Sequence, residues 1–156
     1  MSLKIGLFIV AAAFLFSCGS VPGHQDAKQA TSPLAGTWRL ISGTTMDNKD
    51  TIVTDYTKDK SFIKIINDTH FSFLSHDLSK GKTPPALFSA GGGAYSLNGD
   101  EYTEHLEYCS DREWEGNDFK FKITINNDTL VQTGIEKIDS LGVNRINTEK
   151  YVRIKN

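Results

Sequence analysis

Glu104, His105 and Glu107 are the residues of this chain best suited by type to acid–base chemistry, and Tyr102 and Tyr108 flank them. On an extended backbone successive side chains point to opposite sides. Glu104 and His105 therefore cannot act on one reacting atom together, whereas Tyr102, Glu104, Leu106 and Tyr108 share a face. A carboxylate on such an apolar face is expensive to bury unpaired. Three arrangements relieve it. Glu104 anchors the polar head of a ligand held inside the fold; or it forms an internal salt bridge, with Lys64 as the cation if that strand turns the same face inward; or the strand takes the opposite parity, leaving His105 inward and Glu104 in water. No nucleophile elbow, phosphate loop or metal-ligand spacing accompanies these groups. His24, His70, His76 and His105 are scattered along the chain, whereas a zinc site needs three or four converging ligands. The sequence thus predicts no catalytic residues, no metal and no cofactor, and points away from an enzyme. Trp114, in the charged stretch Asp111–Gly116, either caps a ligand or partner or folds over the rim to cover a core. Gly91-Gly92-Gly93 lacks the helix start of a phosphate cradle and reads as loop chemistry.

The two cysteines call for different chemistry. Ahead of Cys18 stand a cation at Lys4, an apolar run from Ile5 to Phe16, and the small residue Ser17. That order is the signature of an export signal. The run is too short for a stable span, which takes about 20 apolar residues. Leu15-Phe16-Ser17-Cys18 resembles the lipobox of bacterial lipoproteins. The resemblance implies cleavage before Cys18, so that residues 1–17 are a signal peptide, and acylation of the Cys18 thiol with a lipid such as palmitate. It also implies a membrane anchor in the cell envelope, at the outer membrane and facing the periplasm. Each buried methylene contributes about 0.8 kcal/mol, so two or more chains hold firmly. Residues 18–34 are small and polar and read as a flexible tether. With Cys18 committed to lipid, Cys109 has no partner for a disulfide framework and reads as a half-buried small hydrophobe.

Short strands must position the remaining groups. The 156 residues carry 17 Lys+Arg and 19 Asp+Glu; without residues 1–17 the balance is 16 against 19, a formal charge of −3. Nothing in it suggests a nucleic-acid partner. Residues 35–156 suffice for one domain. Runs of β-branched and aromatic residues predict eight strands over 36–43, 61–67, 70–76, 92–98, 101–109, 118–126, 129–134 and 147–155. Phe119, Phe121, Ile123 and Ile125 alternate with Lys120, Lys122 and Thr124, the pattern of a sheet with one wet face. Asn67-Asp68-Thr69, Asn98-Gly99-Asp100 and Asn126-Asn127-Asp128 predict tight turns, and alternate with long connections over 44–60, 77–91, 110–117 and 135–146. Strict alternation puts the turns at one end and the long loops at the other end of an all-β, eight-stranded antiparallel up-and-down barrel, whose closure removes the sheet edges.

Gly36-Thr37-Trp38 on the first strand and Arg153 on the last resemble the lipocalin and calycin group, in which such an arginine packs over the indole at the closed end. The hairpin at 93–104 and the closing Glu-Lys-Tyr-Val-Arg at 149–153 are similar to small lipocalin-like lipoproteins of Gram-negative bacteria. The resemblance implies a lipocalin-like barrel in the envelope, with Gly36, Trp38 and Arg153 closing one end, but no particular activity. Aligned with Trp38, the inward set contains Leu40, Phe71, Phe73, Tyr95, Leu97, Tyr102, Glu104, Leu106, Tyr108, Phe119, Phe121, Ile123 and Tyr151. Tyr95, Tyr102, Glu104, Tyr108 and Phe121, with Trp114 at the rim, are accordingly the candidate binding residues for a small apolar or amphipathic ligand. The alternative is a structural or protein-interaction lipoprotein with a filled barrel, contacting through its open-end loops. The sequence indicates no particular protein partner.

Overall fold

Each of the three predicted tight turns joins two antiparallel strands, and the strands close on themselves. The computed structural model describes residues 32–155. The expected signal peptide at 1–17, Cys18 and the expected tether as far as residue 31 lie outside them. The strands are β1 (Gly36–Met46), β2 (Thr51–Asp55), β3 (Lys60–Ile66), β4 (His70–Asp77), β5 (Phe88–Asn98), β6 (Glu101–Leu106), β7 (Tyr108–Cys109), β8 (Asn117–Asn126), β9 (Thr129–Ile138) and β10 (Val143–Arg153). The pairing runs β1-β3-β4-β5-β6-β8-β9-β10, and β10 returns to β1, from Trp38 opposite Arg153 to Met46 opposite Ile146. The result is a closed eight-stranded antiparallel barrel, with β2 and β7 added to it.

Three connections differ from the expectation. The segment 44–60 is not one loop, because Thr51-Ile52-Val53-Thr54 folds back on β1 as β2. Asp47 turns that hairpin by accepting hydrogen bonds from the backbone N–H groups of Lys49 and Asp50. The segment 135–146 is mostly strand. β9 and β10 stay paired as far as Ile138 opposite Val143, around Ile135–Ile146 and the Glu136–Arg145 ion pair. Gly91–Gly93 belong to β5 rather than to a loop. A Cβ at Gly93 would lie 1.9 Å from the His105 carbonyl oxygen, and one at Gly92 would lie 2.5 Å from that of Phe71. Close backbone approach, to β4 at Gly92 and to the end of β6 at Gly93, and not flexibility, requires these glycines.

The expected strand 101–109 breaks at Glu107. Its N–H bonds the Gly92 carbonyl, and its carboxylate accepts from the N–H of Ala94. One irregular residue reverses the facing of all that follow. Tyr108, counted among the inward residues, is therefore outside and 68% exposed, while Cys109 turns toward the barrel.

The closed end is packed solid. Trp38, Leu40, Ile66, Phe71, Tyr102, Ile123, Leu130 and Tyr151 are buried together with Leu34. Leu34, read as the end of the tether, is a core residue, fixed by a hydrogen bond of 2.9 Å from the Trp38 indole N–H to its carbonyl. Arg153 lies over the Trp38 ring, 4.0 Å from its centre, and donates to the carbonyls of Ala35 and Pro33 at 2.7 and 2.6 Å. Gly36 is fixed by the same contact: its φ is +143°, and a Cβ there would lie 2.4 Å from Arg153 Nη1.

Candidate functional site

Above the packed end the barrel contains polar side chains that only its closure brings together. Lys64 of β3, 3% exposed, donates to Glu104 Oε1 of β6 at 2.6 Å and to Gln132 Oε1 of β9 at 3.1 Å. Gln132 donates through Nε2 to Glu149 Oε2 of β10 at 2.7 Å, and the Tyr151 hydroxyl donates to the same oxygen at 2.7 Å. Lys64 Nζ lies 4.0 Å from that oxygen and within 5.3 Å of the Tyr151 ring centre. The four strands supply these groups because Lys64, Glu104, Gln132 and Glu149 each fall on the inward phase of a period-two pattern. Of the three arrangements open to Glu104, the ion pair with Lys64 is the one formed. His105 points outward and meets Asp118 at 2.8 Å.

Burial sets the electrostatics of this layer. It pushes the Glu104 carboxyl above the ordinary carboxylate range, and Lys64 recovers only part of that shift. Burial likewise raises the hydroxyls of Tyr102 and Tyr151, and the adjacent Glu104 and Glu149 carboxylates raise them further. The Tyr102 hydroxyl, fully buried beside Glu104, has no hydrogen-bond partner among the described residues.

The polar layer is the floor of a cavity of about 260 Å³ that opens at the loop end. Phe62, Phe73, Leu106, Phe119 and Phe121 form its apolar wall, with Cys109 beside them. Burial raises the Cys109 thiol. Trp114 stands at the mouth, its ring centre 5.8 Å from that of Phe119 and 5.5 Å from the Arg145 guanidinium. It is half-buried, so it both covers the core and lines the mouth. Arg145 also binds Glu136 Oε2 at 2.7 Å, and Asn147 donates to Glu136 Oε1 at 2.7 Å.

Of the six candidate binding residues, Glu104, Phe121 and Trp114 line the cavity. The other three do not. Tyr102 lies below the floor, its ring 5.3 Å from Tyr95. Tyr95 belongs to the closed end, where its hydroxyl donates to the Asn67 carbonyl at 2.8 Å. Tyr108 is outside the barrel. Gln132, Glu136 and Glu149 were not among the candidates. Stepping by two from the buried Tyr151 leads to Glu149 and Asn147, and stepping from Leu130 leads to Gln132 and Glu136, but the strands were read as ending too early for Glu136.

Residues 33–156 match a family described as a domain of unknown function, DUF4488. No curated protein matches the chain. Among solved structures it is similar to an uncharacterized protein from Bacteroides eggerthii DSM 20697, with 13% identity, 77% of this chain and 98% of that chain covered, and a TM-score of 0.43.

Proposed function

From the premise that the chain belongs to the DUF4488 family, we propose that it is a lipid-anchored envelope protein whose lipocalin-like barrel holds one small amphipathic molecule. The observation that carries this reading is the cavity of about 260 Å³, with an aromatic wall, a polar floor and a mouth at the loop end. Such a combination of apolar lining and a few fixed polar groups is the common design of small-molecule sites. At about 260 Å³ it is slightly smaller than the roughly 300–1,000 Å³ usual for such sites, so the occupant has a compact body rather than a long acyl chain. Phe62, Phe119 and Phe121 would hold that body, Glu104 and Glu149 would meet its polar end, and Trp114 would cover it.

The test is native mass spectrometry of protein purified from its own host, followed by titration with an apolar fluorescent probe. One molecule per barrel is expected, with Phe121→Ala weakening the probe by roughly tenfold through lost apolar contact. A barrel that carries nothing from the host and takes up no probe would leave the second reading, a protein-contact lipoprotein. That reading is favoured by an exposed apolar row on the outer wall, where Met46 lies opposite Ile146 and Ile146 opposite Ile135.

A further inference from the structure

We infer that the cavity selects a cationic amphiphile, a small protonated amine with an aromatic or branched apolar body, over neutral or anionic molecules of the same shape. The inference rests on the binding role proposed above and names the ligand class. Inside the cavity and at its mouth stand four carboxylates, Glu104, Glu136, Glu149 and Asp111. Among the described residues two cations face them, Lys64 from the floor and Arg145 from the rim, which leaves a formal excess of two negative charges. Lys64 is already engaged with Glu104 and Gln132 and is nearly inaccessible, so it is not free to receive an anionic head. Glu136 is also satisfied, by Arg145 and Asn147.

Glu149 differs. All its hydrogen bonds enter through Oε2, its side chain is 16% exposed, and it lines the cavity. Its Oε1 is thus an acceptor available to a donor entering from the mouth. An ammonium supplies several donors and one positive charge, which matches both the available Glu149 acceptor and the excess of negative charge. Phe62, Phe119 and Trp114 line the same cavity, and aromatic rings suit both the charge and the apolar body of such a cation. A fatty-acid carboxylate would instead bring a further negative charge into a desolvated site that already holds an excess of them.

Calorimetry on the full chain, with three probes of matched shape, tests the inference: 2-phenylethylammonium, 2-phenylethanol and 3-phenylpropanoate. The ammonium should bind at least about tenfold more tightly than the alcohol, and the carboxylate most weakly. Glu149→Gln should lower the ammonium affinity by roughly tenfold. The wild-type preference should also shrink as salt is added, a readout that needs no variant. Equal affinities, or a preference for the carboxylate, would overturn the cationic class while leaving a binding barrel. Failure of all three probes, together with an empty barrel from the host, would overturn the binding role itself.

Discussion

Lys64 is the residue on which the interior of the barrel depends. Among the described residues its ammonium is the one cation in direct contact with Glu104 and the nearest to Glu149, and both Lys64 and Glu104 are buried. Removing one member of a buried ion pair leaves the other uncompensated, which costs about 3–5 kcal/mol, whereas replacing both by apolar groups is often nearly neutral. Lys64→Met should therefore destabilise the protein by about that amount in urea unfolding, and Lys64→Met with Glu104→Leu should recover most of the loss. The pH dependence follows from the direction of the Glu104 shift. Its folded carboxyl already titrates above the ordinary range, and loss of Lys64 removes the main influence pulling it down. A raised carboxyl contributes stability that is complete below its unfolded pKa and is lost as pH rises through the folded one. The deficit of Lys64→Met should thus be smallest in mildly acid buffer and grow toward neutrality. A deficit independent of pH would show that Glu104 is not the group left exposed to the loss.

At the scale of elements, the closure of β1 on β10 is concentrated at one stacked pair. Trp38 fills the closed end, and Arg153, directly opposite it in register, covers the indole and ties down the carbonyls of Pro33 and Ala35. Trp38→Ala should cost about 3–5 kcal/mol, as large core truncations do. Arg153→Ala should cost less, about 0.5–2 kcal/mol for the ring contact. Because the two side chains touch, their effects should couple in a double-mutant cycle, and strictly additive values would contradict the stacked arrangement. At the opposite end β1 is held on both sides, by β2 and by β10, so the mouth is framed by paired ribbon as well as by loops. The loop after β4 is organised around Asp77, which accepts from Ser79, Gly81 and Leu87, and these bonds hold its carboxyl far below the ordinary range.

At the scale of the whole molecule, the proposed anchor and the barrel are separate parts of one chain. If Cys18 carries lipid, wild-type protein should partition with membranes and incorporate labelled fatty acid, and Cys18→Ala should do neither. Absence of label from the wild-type protein would remove the lipid anchor from the proposal. The binding role proposed for the barrel would be untouched, because its cavity is built only from residues 62–149. The barrel itself has a packed closed end, a polar floor across the middle and a mouth on the opposite side.

The strand periods and turn chemistry were enough to determine an eight-stranded meander, because alternation and Asn-Asp-Gly turns are local and survive without knowledge of neighbours. The same local information turned Phe119, Phe121 and Ile123 inward together, while the resemblance to the lipocalin group pointed to Gly36, Trp38 and Arg153 at one end. Three things were decided by tertiary structure alone. The break at Glu107 depends on contacts with Gly92 and Ala94 on another strand, so simple alternation carried Tyr108 to the wrong face. The β1–β2 hairpin and the upper β9–β10 ribbon depend on cross-strand pairs, which a single strand's pattern does not reveal. Which inward residues line the cavity and which lie beneath it depends on height along the barrel. Period two reports only the side of the sheet, and so Tyr95 and Tyr102 could not be told from Glu104 and Phe121 until closure set their levels.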